Sequence, residues 1–145
     1  MAYWLFKSEP NTWSWEDQKA HDGPAEWDGV RNYQARNNMR AMKVGDPGFF
    51  YHSVKEKRIV GIVRVAVEAH PDSTTDDPRW ECVDVEALTD MPRPVSLEEI
   101  KDHPDLEGMV LVNNSRLSVQ PVTEREWRII CRMGGLDPDT LKPLS

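Results

Sequence analysis

The long β-branched run Ile59–Glu68 constrains the fold of this chain more than any other feature. Val and Ile are stiff at χ1 and suit a pleated surface. A strand of this length must also pair its backbone donors and acceptors with something. The partner stands just before it. Phe49-Phe50-Tyr51-His52-Ser53 reads as a strand, Lys55-Glu56-Lys57 as a turn, and the two strands as a hairpin. After the acidic loop Pro71–Pro78, Trp80–Leu88 alternates Cys82, Asp84, Glu86 and Leu88 against Val83, Val85 and Ala87, the mark of a half-buried strand.

The remaining elements are shorter. Tyr3–Lys7 predicts an opening strand, and Asn11 or Thr12 a cap for a helix over about Thr12–His21, stopped by Asp22-Gly23-Pro24. Between Val30 and Lys43, Ala35, Met39 and Met42 form a helical stripe, closed by Gly45-Asp46-Pro47-Gly48. Pro92-Arg93-Pro94 reads as a connector, and Ser96-Leu97-Glu98-Glu99 opens a short helix with a capping box. Arg116-Leu117-Ser118-Val119 predicts a strand that ends at Pro121 or lies at an edge. Thr123-Glu124-Arg125-Glu126 caps a last helix through Met133, closed by Gly134-Gly135. Five to six strands and three or four helices do not alternate regularly. That favours α+β with a closed or nearly closed sheet over a doubly wound fold, and 145 residues fit one domain spanning 1–145.

Several functional classes drop out. Cys82 and Cys131 lie far apart with no Cys-x-x-Cys spacing, which excludes a disulfide scaffold and a cysteine-based zinc site and reads as small core residues. His21, His52, His70 and His103 show no ligand spacing, so no metal and no cofactor are expected. No run approaches a membrane span and no leader is evident, so the expectation is a cytoplasmic monomer with no membrane partner. No hydrolase, metalloprotease, P-loop or dinucleotide motif is present. His52 and Ser53 are neighbours on a strand and point to opposite faces, so they cannot act as base and nucleophile. Lys7, Glu9 and His52 meeting in space as an acid–base set stays open.

Charge and aromatics point to a ligand. The net charge is −7, yet residues 29–64 hold eight basic groups against Asp46 and Glu56, a local +6. The overall charge disfavours a long non-specific nucleic-acid footprint, while the basic stretch suits a focused anionic ligand. Five of the six tryptophans precede residue 81, beside that stretch. Most large rings belong to a core, but rings interleaved with cations also suit base stacking with phosphate contact. Polar and aromatic groups cluster at Lys7-Ser8-Glu9-Pro10, Trp27-Asp28-Gly29-Val30-Arg31-Asn32-Tyr33, Phe50-Tyr51-His52-Ser53 and Arg116-Leu117-Ser118-Val119-Gln120. Each cluster alone is ordinary turn or packing chemistry. Together they are the toolkit for a planar heterocycle near a phosphate.

These same segments, with Gln34-Ala35-Arg36-Asn37 and Gly45-Asp46, resemble the signature segments of the EVE domain family over about residues 2–136. The resemblance implies a PUA-like fold, a small mixed β-barrel flanked by helices. It also implies a binding module rather than an enzyme, with no catalytic residues, that recognises a modified nucleobase, often a cytosine derivative, in DNA or RNA through an aromatic-lined pocket. An enzyme acting on a nucleotide or RNA end, and a sensor of a free nucleoside or nucleotide, are the competing expectations. Carried over, Lys7, Ser8 and Glu9 would line one wall, with Trp27 as the stacking plate beside Arg31, Asn32 and Tyr33. Tyr51, His52 and Ser53 would form the floor, and Arg116, Ser118 and Gln120 the other wall. The expected pocket is thus bounded by Ser8, Trp27, Asn32, Tyr51 and Ser118, with Arg31 or Arg116 at its mouth. Trp27 falls outside any periodic apolar stripe and is expected to serve the ligand rather than the core.

Overall fold

A computed structural model describes residues 1–144. The chain runs β1 (Tyr3–Ser8), α1 (Trp15–Ala20), β2 (Ala25–Glu26), α2 (Tyr33–Ala41), β3 (Pro47–His52), β4 (Arg58–Pro71), β5 (Glu81–Ser96), α3 (Leu97–Asp102), α4 (Val110–Asn113), β6 (Val119–Val122) and α5 (Glu124–Met133). The six strands form one sheet in the order β2-β5-β4-β3-β1-β6. Its centre is the predicted hairpin, β3 against β4, with β5 antiparallel on the other side of β4. β1 lies parallel to β3, and α1, β2 and α2 fill the crossover that a parallel pair requires.

Alternation sorts the core into two layers, one on each face. On one side Trp4, Phe6, Phe50, Val63 and Val65 pack with Trp15, Trp27 and the Ala35/Met39 stripe of α2. On the other, Leu5, Phe49, Tyr51, Ile59 and Ile62 pack with Ile100, Leu111, Trp127 and Ile130 of the C-terminal helices. α1 crosses the sheet closely because Gly61 lacks a side chain. A Cβ there would lie 2.2 Å from the Trp15 ring.

The α+β reading with a mixed sheet and flanking helices is correct, and the sheet stays open rather than closing into a full barrel. Among the described residues β2 and β6 are the two ends of the sheet and do not pair with each other. β2 is only two residues long, and β6 carries Pro121, which an edge strand tolerates because it needs no donor on its outer side.

Three boundaries move. The first helix starts at Trp15, because Ser14, not Asn11 or Thr12, makes the reciprocal capping box with Asp17. β5 runs on through Pro92-Arg93-Pro94. The ladder to β4 breaks between Asp90 and Val95, so the prolines sit where no ladder donor is needed. The Arg116–Val119 strand starts only at Val119, which leaves Arg116, Leu117 and Ser118 as its approach.

Candidate functional site

A cleft of about 700 Å³ opens on the α1/α2 face where β1 ends. Lys7, Ser8 and Glu9 leave the strand into it, Thr12 and Trp13 come from the following turn, and Ala25 to Arg31 form the opposite wall. Ser118 closes one side, fixed by the bond from the Lys7 N–H to its carbonyl at 2.9 Å.

Two indoles reach the cleft. Trp13 is braced by donation from its Nε1 to Gln18 Oε1 at 2.9 Å, with its ring edge-on to His21 at 5.8 Å. Trp27 differs from its expectation. It is 7% exposed and belongs to the core, edge-on to Phe6 at 5.1 Å and Phe50 at 5.6 Å. The reason is β2. Ala25 pairs with Val85 and Glu26 with Asp84, and the Trp27 N–H donates to the Val83 carbonyl at 2.8 Å, which turns the ring onto the sheet. A two-residue strand has no periodicity to read. The remaining accessible edge of Trp27 lines the cleft, and among the described residues its indole N–H has no partner. Trp27 is therefore both core and wall.

The loop after Trp27 is held from a distance. Gly29 takes a φ of +76°, a conformation that favours glycine. Its N–H donates to Asp72 Oδ2 at 2.9 Å, and Arg31 Nη1 donates to the same oxygen at 3.1 Å. The Thr74 N–H and hydroxyl donate to Oδ1. Burial opposes charge on Asp72, but the Thr74, Gly29 and Arg31 donors outweigh it and hold the carboxyl at about 2. Asp28, exposed on the same loop, is pushed the other way by burial of its carboxyl and by the charges of Asp72 and Glu26, against Arg31. Burial lowers Lys7, whose ammonium donates to the Ser115 carbonyl. The cleft thus carries carboxylates (Glu9, Glu26, Asp28) that accept from amino groups and cations (Lys7, Arg31) that suit phosphate.

Of the sequence-predicted residues, the fold brings Lys7, Ser8, Glu9, Trp27, Arg31 and Ser118 together. The others lie elsewhere. Asn32 caps α2, accepting from the Ala35 N–H. Tyr33 is 52% exposed on the outer side of α2. Tyr51 faces the opposite core layer, and burial pushes its phenol up to about 12. His52 accepts the Trp15 N–H on Nε2 at 3.0 Å and faces Glu56 with Nδ1 at 2.6 Å, so it anchors α1 rather than forming a floor or an acid–base set. Ser53 bonds the Ser8 carbonyl through its backbone. Arg116 is exposed outside the cleft. Gln120 is fully buried, donating to the Leu117 and Asn114 carbonyls, because β6 begins too late to align it with Ser118.

Thr12, Trp13, His21, Asp28 and the supporting Asp72 were missed by the sequence reading. Asp28 stands inside a quoted motif and Trp13 shortly after another, but Asp72 acts across 43 residues in a loop with no local signature. Glu26 also sits beside His70 and Cys82, a trio with donor atoms within 4.8 Å of one another. Both His70 nitrogens face acceptors, Nδ1 the Pro71 carbonyl at 3.0 Å and Nε2 Asp84 at 2.7 Å. Burial disfavours charge on His70, but Asp84, Pro71 and Glu26 outweigh it and raise the ring, and both of its nitrogens are already engaged. Ser8 Oγ donates to the Trp13 carbonyl, so the hydroxyl in the cleft is engaged with the backbone.

The model of the EVE domain matches residues 2–133. A crystal structure of an Agrobacterium tumefaciens protein is 59% identical with a TM-score of 0.94, covering 99% of each chain. Human THYN1, solved in complex with DNA containing 5-methylcytosine, is 37% identical with a TM-score of 0.88, covering 95% of this chain and 100% of that one. Mouse thymocyte nuclear protein 1 is 41% identical, over 94% of this chain and 75% of its own length.

Proposed function

From its place in the EVE domain family, to which this chain belongs, we propose that it reads a modified nucleobase, a 5-substituted cytosine in DNA, in the cleft at the end of β1. The observation that carries the reading is the human relative bound to DNA containing 5-methylcytosine. The cleft's own chemistry agrees with it.

A base stacked inside a duplex cannot enter a pocket, so it must leave the stack, at a cost of a few kcal/mol. The exposed edge of Trp27 and the Trp13 indole give apolar surface to a planar ring. Carboxylates suit cytosine, whose N4 amino group donates, and disfavour thymine, which offers a carbonyl there. Asp28 and Glu9 line the cleft and are the acceptors we assign to that amino group, since both Glu26 oxygens already accept from Ser73. Arg31, oriented by Asp72, answers the phosphate. The engaged serine and the His70 ring, with both nitrogens facing acceptors, favour binding over catalysis.

The test is titration of the protein with short DNA duplexes carrying cytosine, 5-methylcytosine or 5-hydroxymethylcytosine at one position, with the free nucleosides alongside. Tighter binding of a modified duplex supports the reading. Equal affinity for all three duplexes, or none, overturns it. Binding of free nucleosides as tight as of duplexes transfers the site to a small-molecule sensor, and strand cleavage transfers it to an enzyme.

A further inference from the structure

Beside the cleft lies an aromatic column that the base-reading role does not use. Tyr33, in the first turn of α2, stacks on Trp80 at 5.1 Å with 26° between the rings. The Arg36 guanidinium lies 4.9 Å from the Tyr33 ring, and that of Arg31 5.5 Å from the Trp80 ring. Arg79 donates to the Tyr33 hydroxyl at 3.1 Å. The core does not account for this column. α2 turns Ala35 and Met39 inward, while Tyr33 stays 52% exposed on the outer side.

Charge and continuity identify the occupant. Arg31 is shared, lining the cleft with one part and covering Trp80 with another. Arg31 is paired with Asp72 and Arg79 with Asp77, whereas Arg36 bonds only Asn37 Oδ1 and the Arg79 carbonyl among the described residues. The column is therefore net positive at the Arg36 end. An exposed cation–π contact is weaker than base–aromatic stacking. A nucleobase can take Arg36's place over Tyr33 while the guanidinium turns to the adjoining phosphate.

We propose that the Tyr33–Trp80 column, with Arg36 and Arg79, is a second DNA contact that holds the strand flanking the base in the cleft. This rests on the reading of the cleft as a base site. It assigns the column a different job: affinity for strand rather than recognition of the modification.

The experiment compares the wild type with Tyr33→Ala, Tyr33→Phe and Arg36→Ala. The probes are 5-methyl-2′-deoxycytidine 5′-monophosphate, a short duplex with one 5-methylcytosine, and its unmodified counterpart. Tyr33→Ala is expected to weaken both duplexes roughly five- to 150-fold while mononucleotide affinity is kept. Tyr33→Phe keeps the ring and most of the affinity. Arg36→Ala lowers the salt dependence of duplex binding by about one counterion. Wild-type duplex binding that Tyr33→Ala leaves unchanged overturns the column and spares the cleft. An equal loss for mononucleotide and duplex also overturns it, because Tyr33 then acts through the cleft. A wild type that binds no duplex overturns the cleft reading and the column with it.

Discussion

The two faces of the sheet use the same kind of ring for opposite ends. On the α3–α5 face Trp127 is 1% exposed, stacked on Phe49 at 4.1 Å and Tyr3 at 4.9 Å. On the α1/α2 face Trp27 packs edge-on against Phe6 and Phe50 and still keeps an edge on a cleft of about 700 Å³. One face is closed by a strongly amphipathic helix with a complete capping box, α5. The other is held by a two-residue strand and a loop tied down by Asp72. The cleft face gives up closure, and a buried acidic side chain replaces the apolar packing that would have fixed its wall.

The largest expected effect is on the closed face. Trp127→Ala should lower unfolding free energy by about 3–5 kcal/mol in denaturant titration while leaving the folded protein's ligand affinity unchanged. Trp27→Ala sharpens the contrast by doing both: a loss of about 3 kcal/mol of stability together with roughly five- to 150-fold weaker binding of the modified duplex. A Trp27→Ala variant that binds weakly yet melts like the wild type would place the ring outside the core after all.

The acidic tie is next. Asp72 has its carboxyl lowered from 3.8 to about 2, so its stabilisation is present above about pH 4 and is lost as pH falls through about 2. The gap is worth on the order of 2 kcal/mol. Asp72→Asn should remove that part of the acid dependence in unfolding measured from neutral pH downward, and should weaken binding through Arg31. The smallest effect belongs to His70. Its raised value means the Asp84 pair stabilises fully below the ordinary histidine range and fades as pH rises through the folded value. For a partly exposed pair this is below about 1 kcal/mol. Asp84→Asn should flatten the change in melting temperature between about pH 6 and 8.

The central hairpin was legible because Ile59–Glu68 is a long β-branched run and its turn is short. The capping boxes at Ser96 and Thr123 were legible because both partners lie within four residues. The cleft was half legible. Lys7, Ser8 and Glu9 follow a strand end, and Trp27 and Arg31 flank a glycine bend. Tyr51 and Gln120 were misplaced because face assignment depends on where a strand begins and on a register break, here between Phe50 and Tyr51.

The sequence by itself determined the strands, the helices capped at Ser96 and Thr123, and the rings and charges available near residues 3–36. These are set by interactions between near neighbours, which spacing records. Only the tertiary structure decided that the sheet stays open, that Trp27 belongs to the core as well as to the cleft, and that Asp72 holds the loop of Gly29 and Arg31. Each of those depends on contacts between segments tens of residues apart, whose pairing is fixed by packing of the whole chain and leaves no periodic trace along it.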